Sequence, residues 1–334
     1  MIVKNFFIFI ITFFISILSL CSEQKNITAP YTILPIKAKG IVCLGNYAVI
    51  NEHTKDNREC YIYDLIAQKK LKTIMFNHTY EIAKHPHEPL VAITVHPSSL
   101  FSNTVMGIYT IPEGEQKAAL SQKNVYSPIF RPDNTTIMAN NDKSFIVFDY
   151  QKNHIIKDLT QSIPIPLTQC LKTVCNQNFF DKLASTSQEP MIDCTFDGIF
   201  NVNQSLFTFT YGYGEYSPAI YNTSQKTVIV QQKKIIDPIL STVFHPVIPH
   251  IMAILSTKEQ NFRYILVRLF NIKTQQSITI IDKELDEITN PFDYGLSKSN
   301  RMDFFNKGKK LIVSLVTTCI IFNLSDEIFS TFNS

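Results

Sequence analysis

A histidine-rich stretch has the most obvious potential for metal chemistry in the sequence. The stretch contains His85, His87, Glu88 and His96. Imidazole and carboxylate groups are common ligands of divalent metals. His85, however, holds the same place in a turn as Arg131 and His245, and this repeated position accounts for it without a metal. We therefore expect no metal ion at this stretch.

Motifs of cofactor binding and covalent catalysis are absent from the sequence. It contains no G-x-G-x-x-G fingerprint, P-loop, H-E-x-x-H helix, nucleophile elbow or EF-hand loop. The formal net charge of +3 is too small to favour a nucleic-acid partner, because nucleic-acid-binding surfaces are strongly basic. We expect a protein without a cofactor that is not an enzyme and whose partner is another protein.

An aromatic loop is the best candidate for a partner-binding site. Three tyrosines and two glycines occur in the segment Tyr211-Gly212-Tyr213-Gly214-Glu215-Tyr216. Aromatic side chains contribute heavily to interface hot spots. We predict that Tyr211, Tyr213 and Tyr216 contact a partner. The alternative is that one or two of these tyrosines complete a strand.

A repeat shows which elements must position these residues. A small or aliphatic residue, an aromatic residue and then Asp, Asn or Thr recur in this order. The copies are Ile62-Tyr63-Asp64, Ile108-Tyr109-Thr110, Val147-Phe148-Asp149, Ile220-Tyr221-Asn222, Leu269-Phe270-Asn271 and Ile321-Phe322-Asn323. Successive aromatics are 46, 39, 73, 49 and 52 residues apart. All spacings but one lie near the roughly 40–50 residues of a four-stranded propeller blade.

A second pattern precedes the last five copies. It runs from a hydrophobic residue through a polar turn, often with proline, into an apolar strand. The instances are Ile82-Ala83-Lys84-His85-Pro86, Ile129-Phe130-Arg131-Pro132, Ile199-Phe200-Asn201-Val202, Val243-Phe244-His245-Pro246 and Phe304-Phe305-Asn306-Lys307. We predict that this turn joins the innermost strand of each unit to the second, and that the aromatic copy lies on the third. A polar turn and a fourth strand would follow each copy.

Four-stranded units of this kind cannot bury their faces alone, whereas a ring of such units buries them against each other. We therefore predict an all-β fold, a β-propeller of six four-stranded antiparallel blades, with seven blades as the alternative. The predicted blades span about residues 37–77, 78–121, 122–160, 192–231, 232–284 and 285–334. Residues 30–37 would either add an outer strand to the last blade or begin the first. The ordered copies disfavour a β-sandwich.

The long third interval contains an insertion, residues 161–191. Hydrophobic residues in it have the spacing of an amphipathic helix over residues 168–184. These are Leu171, Val174, Cys175, Phe179 and Leu183. The helix would be either an inert surface insertion or a partner-binding element.

The two patterns resemble those of the WD-repeat family. In that family a strand ends in Trp-Asp, and Tyr63-Asp64 and Phe148-Asp149 match this dipeptide best. The family turn is matched best by Arg131-Pro132-Asp133-Asn134, and the resemblance covers about residues 37–334. It implies a degenerate WD-like propeller. Together with the apolar leader considered below, it suggests an exported protein of bacterial type that acts as a protein-interaction scaffold in the cell envelope, with a more specific resemblance to the TolB-like propellers.

An alternative is implied by the propeller hydrolases and lactonases. Those enzymes bind a metal in the channel with acidic side chains. The channel candidates here are Asp193, Asp197 and Asp237.

An apolar leader precedes the repeats. Lys4 comes before Phe6–Leu20, whose fifteen uncharged residues fit a secretory h-region better than a membrane-spanning helix of about 20 residues. We predict a signal peptide or lipoprotein leader over residues 1–21, with an uncleaved anchor as the alternative, and a linker or first strand over residues 22–36. The sequence Leu18-Ser19-Leu20-Cys21 resembles a lipobox, which would make Cys21 the lipidated residue; ordinary cleavage after Cys21 is the alternative.

The leader places the chain in the periplasm or on the extracytoplasmic side of a membrane. We expect a monomer whose only membrane contact is the leader or a lipid on Cys21.

The remaining cysteines have irregular spacing and form no C-x-x-C motif. They are Cys43, Cys60, Cys170, Cys175, Cys194 and Cys319. Although an exported protein lies in an oxidising compartment, we expect most of these to be buried free thiols. A bridge between Cys175 and Cys194 is the alternative for that pair.

Overall fold

The computed structural model of the protein describes most of the chain from residue 25 to residue 332. The described ranges are 25–26, 29–52, 59–75, 79–95, 105–121, 125–130, 135–141, 144–158, 199–200, 206–211, 217–222, 225, 227–231, 239–258, 261–284, 301–315 and 318–332. Apart from short helical segments near the C-terminus, the regular elements in these ranges are strands.

The strands are numbered in chain order. Those before residue 160 are β1 Lys25–Asn26, β2 Tyr31–Leu34, β3 Ala38–Leu44, β4 Tyr47–Glu52, β5 Cys60–Asp64, β6 Lys69–Met75, β7 Thr79–Lys84, β8 Leu90–Val95, β9 Val105–Thr110, β10 Gln116–Ser121, β11 Val125–Phe130, β12 Thr136–Asn141, β13 Ser144–Asp149 and β14 His154–Asp158. Those after it are β15 Ile199–Phe200, β16 Leu206–Tyr211, β17 Ser217–Asn222, β18 Thr227–Gln231, β19 Ile239–Phe244, β20 Ile251–Lys258, β21 Asn261–Asn271, β22 Ser277–Glu284, β23 Met302–Phe305, β24 Lys310–Ser314 and β25 Cys319–Asn323.

The described strands form six sheets, and each contains a meander of consecutive antiparallel strands. Sheet 1 comprises β3–β6, sheet 2 β7–β10, sheet 3 β11–β14 and sheet 4 β15–β18. Sheet 5 comprises β19–β22 with the short β1 added parallel to β22. Sheet 6 comprises β23–β25 with β2 added antiparallel to β25. All copies of the aromatic pattern lie on the third strand of a meander, which confirms the prediction.

The first strands of the meanders lie at the centre of the ring. Strand β3 contacts β7 and β23, β7 contacts β11, and β19 contacts β15 and β23. In sheets 1 to 4 the fourth strand lies at the opposite edge, whereas in sheets 5 and 6 the added strands β1 and β2 lie there. This arrangement of radial antiparallel sheets is a multi-bladed β-propeller, as the sequence predicts.

The hydrophobic cores lie between neighbouring sheets, and the alternation of side chains along each strand explains how. In β3, Ile41 and Cys43 pack against sheet 6, whereas Val42 packs against sheet 2. In β4, Ala48 and Ile50 pack against sheet 6, and Val49 packs against sheet 2. Where both faces of a sheet are covered, as in sheets 1, 2, 5 and 6, the inner strands are almost continuously hydrophobic instead of alternating with polar residues.

The repeated aromatics make the contacts between sheets. Each aromatic whose side chain is described packs into the core shared with the preceding sheet. These residues are Tyr63 against sheet 6, Tyr109 against sheet 1, Phe148 against sheet 2, Phe270 against sheet 4 and Phe322 against sheet 5. The side chain of Tyr221 lies outside the described part of the chain. One large side chain per unit therefore joins one sheet to the next.

The N-terminal strand β2 supplies the outer strand of sheet 6, with Tyr31 opposite Phe322 and Leu34 opposite Cys319. Of the two alternatives for residues 30–37, the structure has the outer strand. The expectation that a fourth strand follows every aromatic copy is therefore wrong for the last one. After Asn323 the chain forms a short helix, α1, from Asp326 to Ser330. Two acidic residues in its first turn favour a helix there.

Several predictions concern residues outside the described part of the chain. These are the leader with Cys21, the helix over residues 168–184 and the whole insertion 161–191. The number of blades, six or seven, stays a prediction for the same reason.

Candidate functional site

A cavity of about 560 Å³ opens on the face where the first strands of the meanders turn into the second. Its lining comes from the turns of sheets 1, 2, 5 and 6, which follow one another around the ring. Lys84, His85, Glu88, His245 and Lys307 supply most of its polar and charged groups. The inner strands end here, so the cavity lies at the centre of this face.

Two histidines stabilise the turns at the cavity in the same way. The Nδ1 atom of His85 accepts hydrogen bonds from the backbone N–H groups of His87 (3.1 Å) and Glu88 (2.8 Å). The Nδ1 atom of His245 accepts them from Val247 (3.1 Å) and Ile248 (2.9 Å). Both rings are 3% exposed. The structural role predicted for His85 and His245 is thereby confirmed, while Arg131 lies outside the described residues.

These hydrogen bonds require neutral imidazoles, since a protonated Nδ1 cannot accept. Burial lowers the pKa of His245 to about 4, and a hydrogen bond to the Gly308 backbone opposes part of this shift. Burial also lowers the pKa of His85, with a smaller opposing effect of the Glu88 carboxylate. With Nδ1 occupied by two N–H groups, neither histidine can offer that lone pair to a metal.

Each turn histidine also packs against aromatics of the next sheet. The ring of His85 lies 4.9 Å from that of Phe130 in sheet 3. The ring of His245 lies 5.0 Å from Phe304 in sheet 6 and 5.0 Å from Phe329 in α1. Contacts with the next sheet therefore hold the two histidine turns of the cavity wall in place.

A buried carboxylate joins three of the sheets beside the cavity. Asp303, on the inner strand of sheet 6, is 1% exposed. Its Oδ2 accepts a hydrogen bond from the backbone N–H of Cys43 in sheet 1 (2.7 Å). Its Oδ1 forms an ion pair with Lys84 in sheet 2. Sequence reasoning missed Asp303 and Lys84; an acidic residue inside the apolar inner strand of the last unit is the signal that could have found them.

The turn after β23 has an uncommon backbone. Asn306, Lys307 and Gly308 all have positive φ, at 49°, 55° and 85°. Glycine adopts this conformation freely, but Asn and especially Lys do so at a cost. Lys307 lines the cavity and is exposed. Strained residues of this kind often lie at functional sites.

The polar residues of the aromatic repeat have a structural role. The Oδ1 atom of Asp64 accepts hydrogen bonds from the N–H groups of Ile66 and Ala67, both at 2.8 Å. The same arrangement recurs at Asp149, with residues 151 and 152, and at Asn271, with residues 273 and 274. Asn222 accepts from Gln225 at 2.9 Å. An oxygen at this position closes the turn between the third and fourth strands, which explains why Asp and Asn recur.

The strand ends that flank the predicted tyrosine loop lie on the opposite face of the ring. Tyr211 is the last residue of β16 and is paired with Ser217 at the start of β17. Tyr211 therefore ends a strand, and its contact with a partner stays a prediction. A connection between second and third strands lies at the other end of the strands from the cavity. Tyr213 and Tyr216 lie outside the described residues, and their partner contact stays a prediction.

Three of the cysteines are buried free thiols, namely Cys43, Cys60 and Cys319. Burial raises the pKa of Cys319 to about 12, and burial with the nearby Asp303 carboxylate raises that of Cys43. These thiols are poor nucleophiles. Cys170, Cys175 and Cys194 lie outside the described residues, as do His96, Asp193, Asp197 and Asp237.

Within the described ranges, no cluster of three or more His, Cys, Asp or Glu side chains could hold a metal ion. The helical segments described are also too short or too polar to cross a bilayer.

Comparisons with known proteins identify the fold. The sequence matches no protein-family profile and no curated protein. Among solved structures, a chain from "Crystal Structure of Mitotic Checkpoint Complex" superposes with a TM-score of 0.56 at 10% sequence identity. The match covers 91% of this chain and 98% of that one. Because 1045 chains of solved structures match, the likeness does not select a function. The chain has a WD-repeat-like β-propeller fold.

Proposed function

We propose that the protein is a non-enzymatic, exported propeller that acts as a protein-interaction scaffold in the cell envelope. The observation that carries this proposal is the cavity of about 560 Å³ between the turns of four sheets. Its volume lies in the range of about 300–1,000 Å³ that is typical of ligand pockets, which is enough to receive a few side chains of a partner. The apolar leader of the sequence supports export, and a lipid on Cys21 would hold the ring at a membrane.

The groups around the cavity favour binding over catalysis. His85 and His245 have their Nδ1 atoms occupied by backbone N–H groups. Asp303 is occupied by Lys84 and by the Cys43 backbone. These contacts hold the turns in place, and a rigid surface loses little conformational entropy when a partner binds.

The structural neighbour agrees with this proposal at the level of the fold. It is part of a complex of proteins, as its description states. A propeller presents the turns of several sheets on each face, so one ring can contact a partner without any enzymatic site.

Site-specific photo-crosslinking in the producing cells tests the proposal. The crosslinking residue p-benzoylphenylalanine replaces Val247 at the cavity, Tyr213 on the opposite face, or Ile156 on an outer strand as the control. Val247 and Ile156 are similarly exposed, at 58% and 51%. We expect a discrete protein adduct from position 247 and none from position 156. If none of the positions gives an adduct, the scaffold function is refuted. If only position 213 gives one, the partner binds the face opposite the cavity.

Membrane fractionation tests the location. We expect the wild type in the membrane fraction and Cys21→Ala in the soluble exported fraction. A wild type that stays in the cytoplasm would refute export.

A further inference from the structure

We infer that the cavity binds an extended acidic peptide of the partner, with a carboxylate at Lys307 and apolar side chains against Val247 and the neighbouring prolines. Since this inference names the partner chemistry of the cavity, it rests on the proposed function. It places the binding surface on the face of the first-to-second-strand turns and not on the face of the tyrosine loop.

The charges around the cavity leave one cation without a counterion among the described residues. Lys84 is paired with Asp303. Glu88 is paired with Lys117, whose Nζ lies 3.9 Å from its Oε2. In the same described part of the chain, no acidic side chain forms an ion pair with Lys307. The uncompensated charge of the cavity is therefore positive and complements an acidic group.

The walls of the cavity add an apolar component. Val247 is 58% exposed at its rim. Pro86, Pro89 and Pro246 line the cavity as well. Prolines are rigid and have no backbone N–H to satisfy. A ligand that fits must therefore carry apolar groups close to its negative charge.

The backbone at Lys307 points to the same residue. Its φ of 55° follows a φ of 49° at Asn306, and both are unfavourable for side chains of this kind. A glycine at position 307 would remove the cost. Lys307 shares this backbone with Gln68, Asn153 and Gln275 in turns elsewhere, but among these residues it alone lines the cavity.

A peptide fits these features better than a nucleic acid. Nucleic acids are bound by rows of cations that follow the phosphates, whereas this cavity has one unpaired Lys beside apolar walls and the Glu88 carboxylate. An extended peptide with an acidic and an apolar residue two positions apart presents both groups on one face, about 7 Å from each other.

Fluorescence anisotropy with three short labelled peptides tests the inference on the exported chain. In these peptides a leucine and a glutamate, glutamine or lysine stand two positions apart, on the same face of an extended chain. Lys307→Gly and Val247→Asp are the test variants, and Lys69→Gln is the control. Lys69 is exposed at the start of β6 on the same face but outside the cavity. Lys307→Gly should not disturb folding, because glycine adopts this backbone freely.

We expect the glutamate peptide to bind best, and both test variants to weaken it at least about tenfold. Lys69→Gln should bind it like the wild type. Equal binding of the glutamine peptide, or stronger binding of a short single-stranded DNA, would overturn the inference. If the glutamate peptide does not bind but position 247 still gives a protein adduct, the acidic-peptide inference is wrong and the proposed scaffold function stands. Absence of both would overturn the proposed function too.

Discussion

The ammonium group of Lys84 contacts the carboxylate of Asp303, although 219 positions separate the two residues in the chain. The other carboxylate oxygen accepts the N–H of Cys43 at 2.7 Å. One buried side chain thus joins the inner strands of sheets 6, 1 and 2. These are the sheets that meet where the N-terminal and C-terminal strands come together, so the contact stabilises this junction of the propeller.

Breaking this ion pair from the Lys84 side should destabilise the protein strongly. Lys84→Met leaves the Asp303 carboxylate buried with only backbone N–H partners, and we expect a loss of about 3 kcal/mol in the free energy of unfolding. Asp303→Asn should cost less, because the amide oxygen can still accept the Cys43 N–H. The double variant should be more stable than Lys84→Met alone. Urea unfolding followed by circular dichroism measures all three, and equal stability of Lys84→Met and the wild type would contradict the expectation.

The turn after β13 depends on the acceptor oxygen of Asp149. Asp149→Ala removes the acceptor for the N–H groups of Gln151 (3.0 Å) and Lys152 (2.9 Å). We expect a loss of about 1 kcal/mol, the usual net value of such bonds. Asp149→Asn is the matched control, since Asn271 makes the same bonds in sheet 5. Thermal unfolding distinguishes the two variants, and a similar fall in Tm for both would mean that the charge matters and not the acceptor.

The repeat could be predicted from sequence because its causes are local. The aromatic of each copy fills the space between two sheets, and the following Asp or Asn closes a turn two to three residues away. The aromatic recurs in all six copies, and the turn-closing oxygen is seen at Asp64, Asp149, Asn222 and Asn271, so the two requirements leave a period in the sequence. His85 and His245 were recognised as equivalent turn residues for the same reason.

The contacts that close the ring and shape the cavity could not be predicted in this way. Asp303 contacts Lys84 only when sheet 6 packs beside sheets 1 and 2. This ion pair is not part of either repeated pattern. The outer position of Tyr31–Leu34 depends on which sheet lacks a strand, which the local pattern leaves open. The cavity lining combines turns from both halves of the chain, so no single motif indicates it.

Strand β2 can be tested by a pair of proline substitutions. The N–H of Asn323 donates to the carbonyl of Pro30 at 2.8 Å. In an antiparallel pair, hydrogen-bonded positions alternate, so Thr32 opposite Ile321 is bonded and Ile33 opposite Ile320 is not. Thr32→Pro therefore removes a ladder bond and should cost about 1–3 kcal/mol.

Ile33→Pro is the matched control for this substitution. Ile33 is 59% exposed and its N–H points away from β25, so its replacement should change Tm little. If both prolines lower Tm equally, β2 is not paired in this register.

Gly308 and His245 should show strong coupling in a double-mutant cycle. A Cβ at Gly308 would collide with the His245 ring, and its φ of 85° disfavours any other residue. We expect Gly308→Ala to cost about 3 kcal/mol, of which about 1 kcal/mol is the backbone part. In the His245→Ala background only the backbone part should remain. An equal cost of Gly308→Ala in both backgrounds, measured by urea unfolding, would contradict the collision.

The buried histidines should make the protein less stable in mild acid. Burial lowers the pKa of His245 from 6.5 to about 4, so between these pH values the unfolded chain binds a proton that the folded protein does not. The free energy of unfolding should therefore fall as the pH falls through this range, by about 2 kcal/mol for this residue. His85, whose pKa is also lowered by burial, adds to the effect in the same direction.

His245→Asn isolates the contribution of this residue. An asparagine oxygen can accept the N–H groups of Val247 and Ile248 as the histidine does, but it does not titrate. Denaturation between pH 7 and pH 4 should therefore show a smaller loss of stability in His245→Asn than in the wild type. Parallel curves would mean that His245 keeps an ordinary pKa and that its ring is not held as an acceptor in the turn.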